Sequence, residues 1–263
     1  MNCTARYLTL TIAACLAVVG CKKDDDASAS ADAAADAPSG LLGQAATAAK
    51  ADAAVAALPK PDLARPLTDY EEVNSGKQLM FLYLAASKLP PDYSKVAEAF
   101  SSEYRSTEDS FRRNDLLKAL QPQMEARVAT AAQQPYGWME VDKHGTVDAY
   151  DFKRGGFPIS EFSGDTTRYF GDESHYRLSW GNHDAVSFAP VSDESVAREI
   201  EAMRGSYDTY PRLKVYFLAQ SADLDKQEVK AYVTRVQITD ANGRIMAEYG
   251  PNPAAAAAAA AAR

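Results

Sequence analysis

The hydrophobic pattern changes period at Pro135, and that change restricts the fold more than any other feature of the sequence. From about residue 68 to 134, apolar residues recur at spacings of three and four, the mark of helices with one buried face. From 136 to 250, short runs rich in β-branched and aromatic residues are divided by Gly, Asn and Asp, the mark of strands and tight turns. Helices segregated ahead of strands define an α+β class. The expected architecture is an N-terminal helical lobe of about four helices, then a mainly antiparallel sheet with one further helix.

Thr68 and Glu71 have the spacing of a capping box, which starts a helix over Val73, Leu79, Met80, Phe81, Leu82, Tyr83 and Leu84. Asn74-Ser75-Gly76 weakens or delays that start, and Pro90-Pro91 ends it. Asp92 caps a second helix carrying Val96, Phe100 and Tyr104 at spacing four. A third runs from about Thr107 to Leu120, with Phe111, Leu116, Leu117 and Leu120 facing inward. Pro122 then opens a fourth, faced by Met124, Val128, Ala131 and Ala132.

Gly137–Val141 and Thr146–Phe152 read as strands, and Lys153–Gly156 is a turn into Phe157-Pro158-Ile159. Ser174–Trp180 and Asp184–Ala189 flank Gly181-Asn182 as a hairpin. Ser192 or Asp193 caps one helix, faced by Val196, Ile200 and Met203 and stopped at Gly205. Leu213–Gln220 and Glu228–Thr239 are long strands, and Asp240–Gly243 turns the chain into Ile245–Tyr249.

Ahead of this folded part, residues 67–250, the chain reads as a leader and a spacer. Arg6 precedes an apolar run, Leu8–Val19, of about 12 residues, the length of a signal-peptide core and short of a membrane span. Residues 1–20 are the expected signal peptide. The three cysteines are Cys3, Cys15 and Cys21, so the exported domain has no thiol for a disulfide, a metal or a nucleophile and must hold together by its core. Residues 21–66, rich in Ala, Asp and Ser and without aromatics, cannot bury enough surface to order themselves and read as a flexible tether. Residues 251–263 are a Pro/Ala tail.

Val18-Val19-Gly20-Cys21 resembles the lipobox of bacterial lipoproteins. The resemblance implies cleavage between Gly20 and Cys21 and lipidation of Cys21. Multiple acyl chains would hold the protein on a membrane where a single chain anchors only marginally. Lys22, in place of an Asp after the anchor, favours the outer over the inner membrane, with the domain facing the periplasm. A second resemblance covers Tyr70 to about Phe162. It is carried by Glu103-Tyr104-Arg105-Ser106-Thr107, Phe111–Leu117, Tyr150-Asp151-Phe152 and Gly156-Phe157-Pro158-Ile159. These are similar to an uncharacterised family of exported bacterial lipoproteins, which implies no activity.

A net charge of −8 repels phosphate backbones, and no basic patch interleaved with aromatics occurs, so nucleic acid is not an expected partner. His175 and His183, with Asp172, Glu173 and Asp184, form a conceivable metal or acid/base cluster if 174–189 is a hairpin. No HExxH-like spacing supports it. Asp142–Asp148 and Asp240–Gly243 hint at calcium loops but lack EF-hand ligands and read as turns. Arg112-Arg113 reads as an ion-paired helix surface. No cofactor, metal or catalytic set is expected. Aromatics including Trp138, Tyr150, Phe152, Tyr169, Tyr176 and Tyr216 either fill the core or line a groove. The expected function is a non-enzymatic binding or structural module of the envelope, with an envelope protein or glycan as partner. The alternatives are a small-ligand or glycan binder using the aromatic sheet, and a hydrolase of envelope polymers.

Overall fold

Strands β1 (Glu71–Glu72), β2 (Tyr136–Val141), β7 (Arg212–Asp223), β8 (Glu228–Thr239), β5 (Glu173–Trp180) and β4 (Thr167–Phe170) lie side by side in that order. The computed structural model describes residues 57–252. The leader, the Gly20–Cys21 site, the spacer up to residue 56 and the tail from residue 253 lie outside the described residues. Strand β9 (Ile245–Tyr249) joins β8 as the seventh strand, and β3 (Gly156–Pro158) pairs β6 (Phe188–Pro190) in a separate small sheet. The fold is α+β, with helices α1 (Gly76–Ser87), α2 (Tyr93–Phe100), α3 (Ser102–Ser106) and α4 (Ser110–Gln133) ahead of the sheet. A single turn, α5 (His183–Val186), and helix α6 (Glu194–Arg204) interrupt the strands.

The helical lobe departs from expectation at three points. Thr68 and Glu71 do not form a capping box: Leu67–Asp69 is a 3-10 turn and Glu71–Glu72 is β1, parallel to β2. The box forms instead at Ser75 and Gln78, where Ser75 Oγ accepts the Gln78 N–H at 3.3 Å and Gln78 Oε1 accepts the Ser75 N–H at 3.1 Å. Asn74-Ser75-Gly76 is thus the start itself. Glycine is required there because a Cβ on Gly76 would collide with the Glu173 backbone. The expected third and fourth helices are one, for α4 runs unbroken through Pro122. An internal proline costs about 3 kcal/mol, but Leu116, Leu117, Leu120, Met124 and Val128 on both sides of it pack on one core. Phe111, expected inward, is 83% exposed, because it lies a turn ahead of Leu116, the first α4 residue packed on that core.

Strand β8 is the axis of the sheet. It is antiparallel to β7 along its whole length, and its two halves have different second neighbours. Arg177–Trp180 of β5 pairs parallel with Glu228–Ala231, while β9 runs antiparallel to Val236–Thr239. The sheet is mainly antiparallel, with two parallel contacts that turn signals could not reveal. The expected hairpin over 174–189 does not form. After β5 the chain leaves the sheet through α5, and β6 crosses to β3. Thr146–Phe152 makes only isolated bridges, Val147 to Ile159 and Asp151 to Gly156. Strand β4, not anticipated, pairs β5 across a short turn.

Helix α1 covers the inner face of the sheet. Leu79, Met80, Leu178, Phe217 and Ile238 are fully buried there. The outer face carries a second cluster, Tyr70, Tyr136, Tyr216 and Leu218, with edge-on rings 5.3–5.4 Å apart. Residues 59–69 strap this cluster. Gln220 Nε2 donates to the Pro59 carbonyl at 2.9 Å, the Asp62 N–H donates to the Tyr136 hydroxyl at 2.9 Å, and Arg235 donates to the Leu63 carbonyl at 3.1 Å. The Arg65 guanidinium lies 4.4 Å from the Tyr136 ring centroid. The fold therefore engages chain upstream of residue 67, using backbone groups that composition does not reveal.

Candidate binding groove beside helix α6

Asp193 caps α6, its carboxylate accepting the N–H groups of Ser195 at 2.8 Å and Val196 at 3.3 Å. The Ser195 hydroxyl, which donates to the same carboxylate at 2.6 Å, and after it these backbone bonds hold the Asp193 carboxyl below the usual range. Ala197 and Ile200 are buried, which leaves Glu194, Arg198 and Glu201 along the outer side. The segment 144–152 runs along α6 from its C-terminal to its N-terminal end. His144 stacks 5.8 Å from Tyr207 just beyond the helix. The Tyr150 N–H donates to Glu201 Oε2 at 3.1 Å. Phe152 and Tyr150 border a groove with Glu194, Ala197 and Arg198, enclosing about 1160 Å³ of open space.

Phe152 is 91% exposed, the most exposed large apolar side chain among the described residues. It is held there by a tight turn. Asp151 Oδ1 accepts the Lys153 N–H at 2.9 Å and the Arg154 N–H at 3.1 Å, and Gly155 takes the positive φ of 72° that closes the loop. The Tyr150 ring braces Phe152 edge-on at 5.0 Å, and the Tyr150 hydroxyl donates to the Val191 carbonyl at 3.1 Å. An aromatic ring presented to water on a fixed turn is the usual form of an interface anchor. Glu201 is held below its usual range, first by Arg204, which donates to it at 2.8 Å, and then by the Tyr150 N–H.

The histidine candidates separate. His175 lies near the start of β5 and His183 lies beyond its end, so about 16 Å of strand stands between them. Asp172 is occupied in capping α1, where its Oδ1 accepts the Gly76 N–H at 2.7 Å. His183 packs against Gly164, with Nδ1 3.2 Å from Asp184. His175 Nδ1 lies 2.6 Å from the buried Glu173 carboxylate, in a cleft of about 670 Å³ lined also by Lys95, Arg105 and Gln227. This is a base with its orienting carboxylate, but the ring is solvated and its Nε2 makes no hydrogen bond among the described residues. Arg112 pairs with Glu103 at 2.9 Å and Arg113 with Glu98, an ion-paired surface. Asp142 and Asp240 belong to turns, each followed by a positive-φ glycine, Gly145 or Gly243. No set of three His, Asp or Glu side chains converges as a metal site among the described residues.

Of the aromatics, Trp180 and Phe217 are core, Tyr216 lies under the strap, and Trp138 is half-buried beneath Lys214. Phe152 alone among the sequence candidates is both fully presented and beside a groove. The signal for it in the sequence was the turn residues Asp151 and Gly155 on either side. No helix is long and apolar enough to cross a membrane among the described residues. No protein-family model, curated protein or solved structure matches the chain.

Proposed function

We propose that this protein is a lipid-anchored module of the bacterial envelope, and that its α+β domain acts by binding a protein rather than by catalysis. The observation that carries the binding reading is the presentation of Phe152, 91% exposed on a braced turn, beside the open groove of α6. A solvated ring costs stability in isolation and gains it on burial, at about 25 cal/mol per Å² of apolar surface removed from water. The anchoring reading rests on Val18-Val19-Gly20-Cys21 and the apolar run before it. Lys22 supports the outer membrane, with the domain facing the periplasm.

Two experiments test the two halves separately. Cys21→Ser should move the protein from the membrane to the soluble fraction; a variant that stays membrane-bound removes the anchor. A photoreactive phenylalanine at position 152 should give a discrete adduct in cells, while the same group at Phe111, also exposed, gives none. Indistinguishable adducts from the two positions would remove the groove as the binding surface.

A further inference from the structure

The cleft at His175 is built from four elements. Helix α2 contributes Lys95 and Glu98, α3 contributes Arg105, β5 contributes Glu173 and His175, and the turn before β8 contributes Gln227. Both carboxylates are already engaged. Glu98 pairs with Arg113 of α4. Glu173, only 8% exposed, accepts the His175 backbone N–H at 3.2 Å and lies 2.6 Å from its Nδ1. The two cations are not engaged. Lys95 Nζ stands 3.9 Å from Asp92, whose carboxylate is taken up in capping α2, and the Arg105 side chain has no partner among the described residues. On a chain of net charge −8, this cleft presents uncompensated positive charge, which favours an anion.

His175 narrows the class of anion. A carboxylate only accepts hydrogen bonds, so the proton of the neutral ring sits on Nδ1, against Glu173, and Nε2 is left as an acceptor. In the imidazolium, Nε2 is a donor. A carboxylate or sulfate ligand, fully ionised near neutral pH, suits only the second state. A phosphate monoester suits both, because its second proton leaves with a pKa of about 6. With the ring neutral, the P–OH donates to Nε2; with the ring charged, the Nε2–H donates to the dianion. Arg105 supplies a planar fork that matches two phosphate oxygens, and Lys95 a mobile point charge. Gln227 adds an amide from a backbone held at a φ of 50°, its carbonyl accepting the Arg177 N–H at 3.1 Å. A non-glycine residue keeps that conformation only where its surroundings fix it.

We propose that this cleft binds a phosphate monoester, with Lys95, Arg105 and His175 as its charged contacts and Glu173 as the positioning residue that orients the His175 ring. The open space of about 670 Å³ admits a sugar phosphate or a lipid headgroup. None of these residues lines the groove of α6, so the proposal stands apart from the reading of that groove as a protein-binding surface.

Isothermal titration calorimetry of the full chain carrying Cys21→Ser tests it, with glucose 6-phosphate as the soluble probe. Saturable binding is expected, with sulfate and glucose each weaker by about tenfold or more. Arg105→Ala and His175→Asn should each raise the dissociation constant about tenfold or more, the usual effect of losing a hydrogen bond to a charged group. Lys118→Ala, at an exposed lysine of α4 outside the cleft, should leave it unchanged. All three side chains are exposed, and unchanged melting temperatures will establish that the variants fold. Flotation with phosphatidylcholine vesicles distinguishes the two sources of the monoester. Binding to vesicles containing phosphatidic acid, a monoester, but not to those containing phosphatidylglycerol, a diester, and lost in Arg105→Ala, upholds the proposal with a lipid headgroup as the ligand even where glucose 6-phosphate does not bind. Failure of both glucose 6-phosphate, up to about 10 mM, and phosphatidic acid vesicles overturns the proposal. So does glucose 6-phosphate binding no tighter than sulfate, or binding indifferent to both Arg105→Ala and His175→Asn.

Discussion

Asp172 caps the helix that covers the sheet: its carboxylate accepts the Gly76 N–H at 2.7 Å from the turn between β4 and β5, 96 residues further along the chain. The contact is close enough that Gly76 can carry no side chain against Glu173. One end of α1 is thereby fixed to the strand pair at the far edge of the sheet. Asp172→Ala should cost about 1 kcal/mol, the typical worth of a cap. Gly76→Ala should cost about 1–3 kcal/mol or more, because a methyl group there must displace backbone. Urea denaturation of the two variants measures both, and a Gly76→Ala chain as stable as the wild type would show that the helix start can shift.

The buried ion pair of Glu161 and Arg168 is also the acceptor for an indole. Arg168 Nε donates to Glu161 Oε1 at 2.7 Å and Trp180 Nε1 donates to the same oxygen at 2.9 Å, with Glu161 only 3% exposed. Arg168→Met leaves a buried carboxylate without its cation, which should cost about 3–5 kcal/mol. Denaturant titration followed by tryptophan fluorescence reads it, and a loss under about 1 kcal/mol would mean that water replaces the guanidinium.

The strap should be separable from the fold. Removing residues 57–66 deletes the hydrogen bonds of Pro59, Asp62 and Leu63 to the sheet and uncovers Tyr136. At about 1 kcal/mol per bond the loss is about 3 kcal/mol, or a fall in melting temperature of about 6–12 °C for a domain of this size. Calorimetry of a chain lacking these residues checks the shift, and binding of a hydrophobic dye should rise.

Stability should fall in acid partly through Glu201. Arg204 and the Tyr150 N–H lower its folded pKa below the unfolded value. Its contribution is therefore present above the ordinary glutamate range and is lost as pH falls through the lowered folded value. Glu201→Gln should flatten the acid limb of melting temperature against pH between about pH 5 and 3, with a small effect because the group is partly exposed. Identical acid limbs for variant and wild type would contradict the assignment.

Pro122 offers a stabilising change. Pro122→Ala restores a helical N–H within α4 at an exposed position and should add about 1–3 kcal/mol. Thermal melting followed by circular dichroism measures it; a loss of stability would mean that the proline shapes the packing of α4.

Local chemistry made some of the architecture legible in advance. Asp92 and Asp193 cap the helices they were expected to cap, because an Asx cap needs only the next few backbone N–H groups. The turn at Asp240–Gly243 closes the hairpin of β8 and β9 for the same reason. Expectation went astray where distant residues decide. Pro122 reads as a helix start until packing on both sides of it is known. Gly181-Asn182 reads as a hairpin turn, but Asn182 spends its side chain on β8, donating to the Val233 carbonyl at 2.9 Å and accepting its N–H at 2.7 Å. The candidate cluster of His175 and His183 depended on that hairpin and separated with it.

By itself the sequence determined the class of the fold, the positions of most helices and strands, and the absence of any disulfide after Cys21. Each of these follows from residue type and short-range spacing. Only the tertiary structure decided which face of each element is covered, that the chain before residue 67 straps the sheet, and that Phe152 stands free beside α6. Those are contacts between residues far apart in the chain, and their energies depend on neighbours that no local pattern encodes.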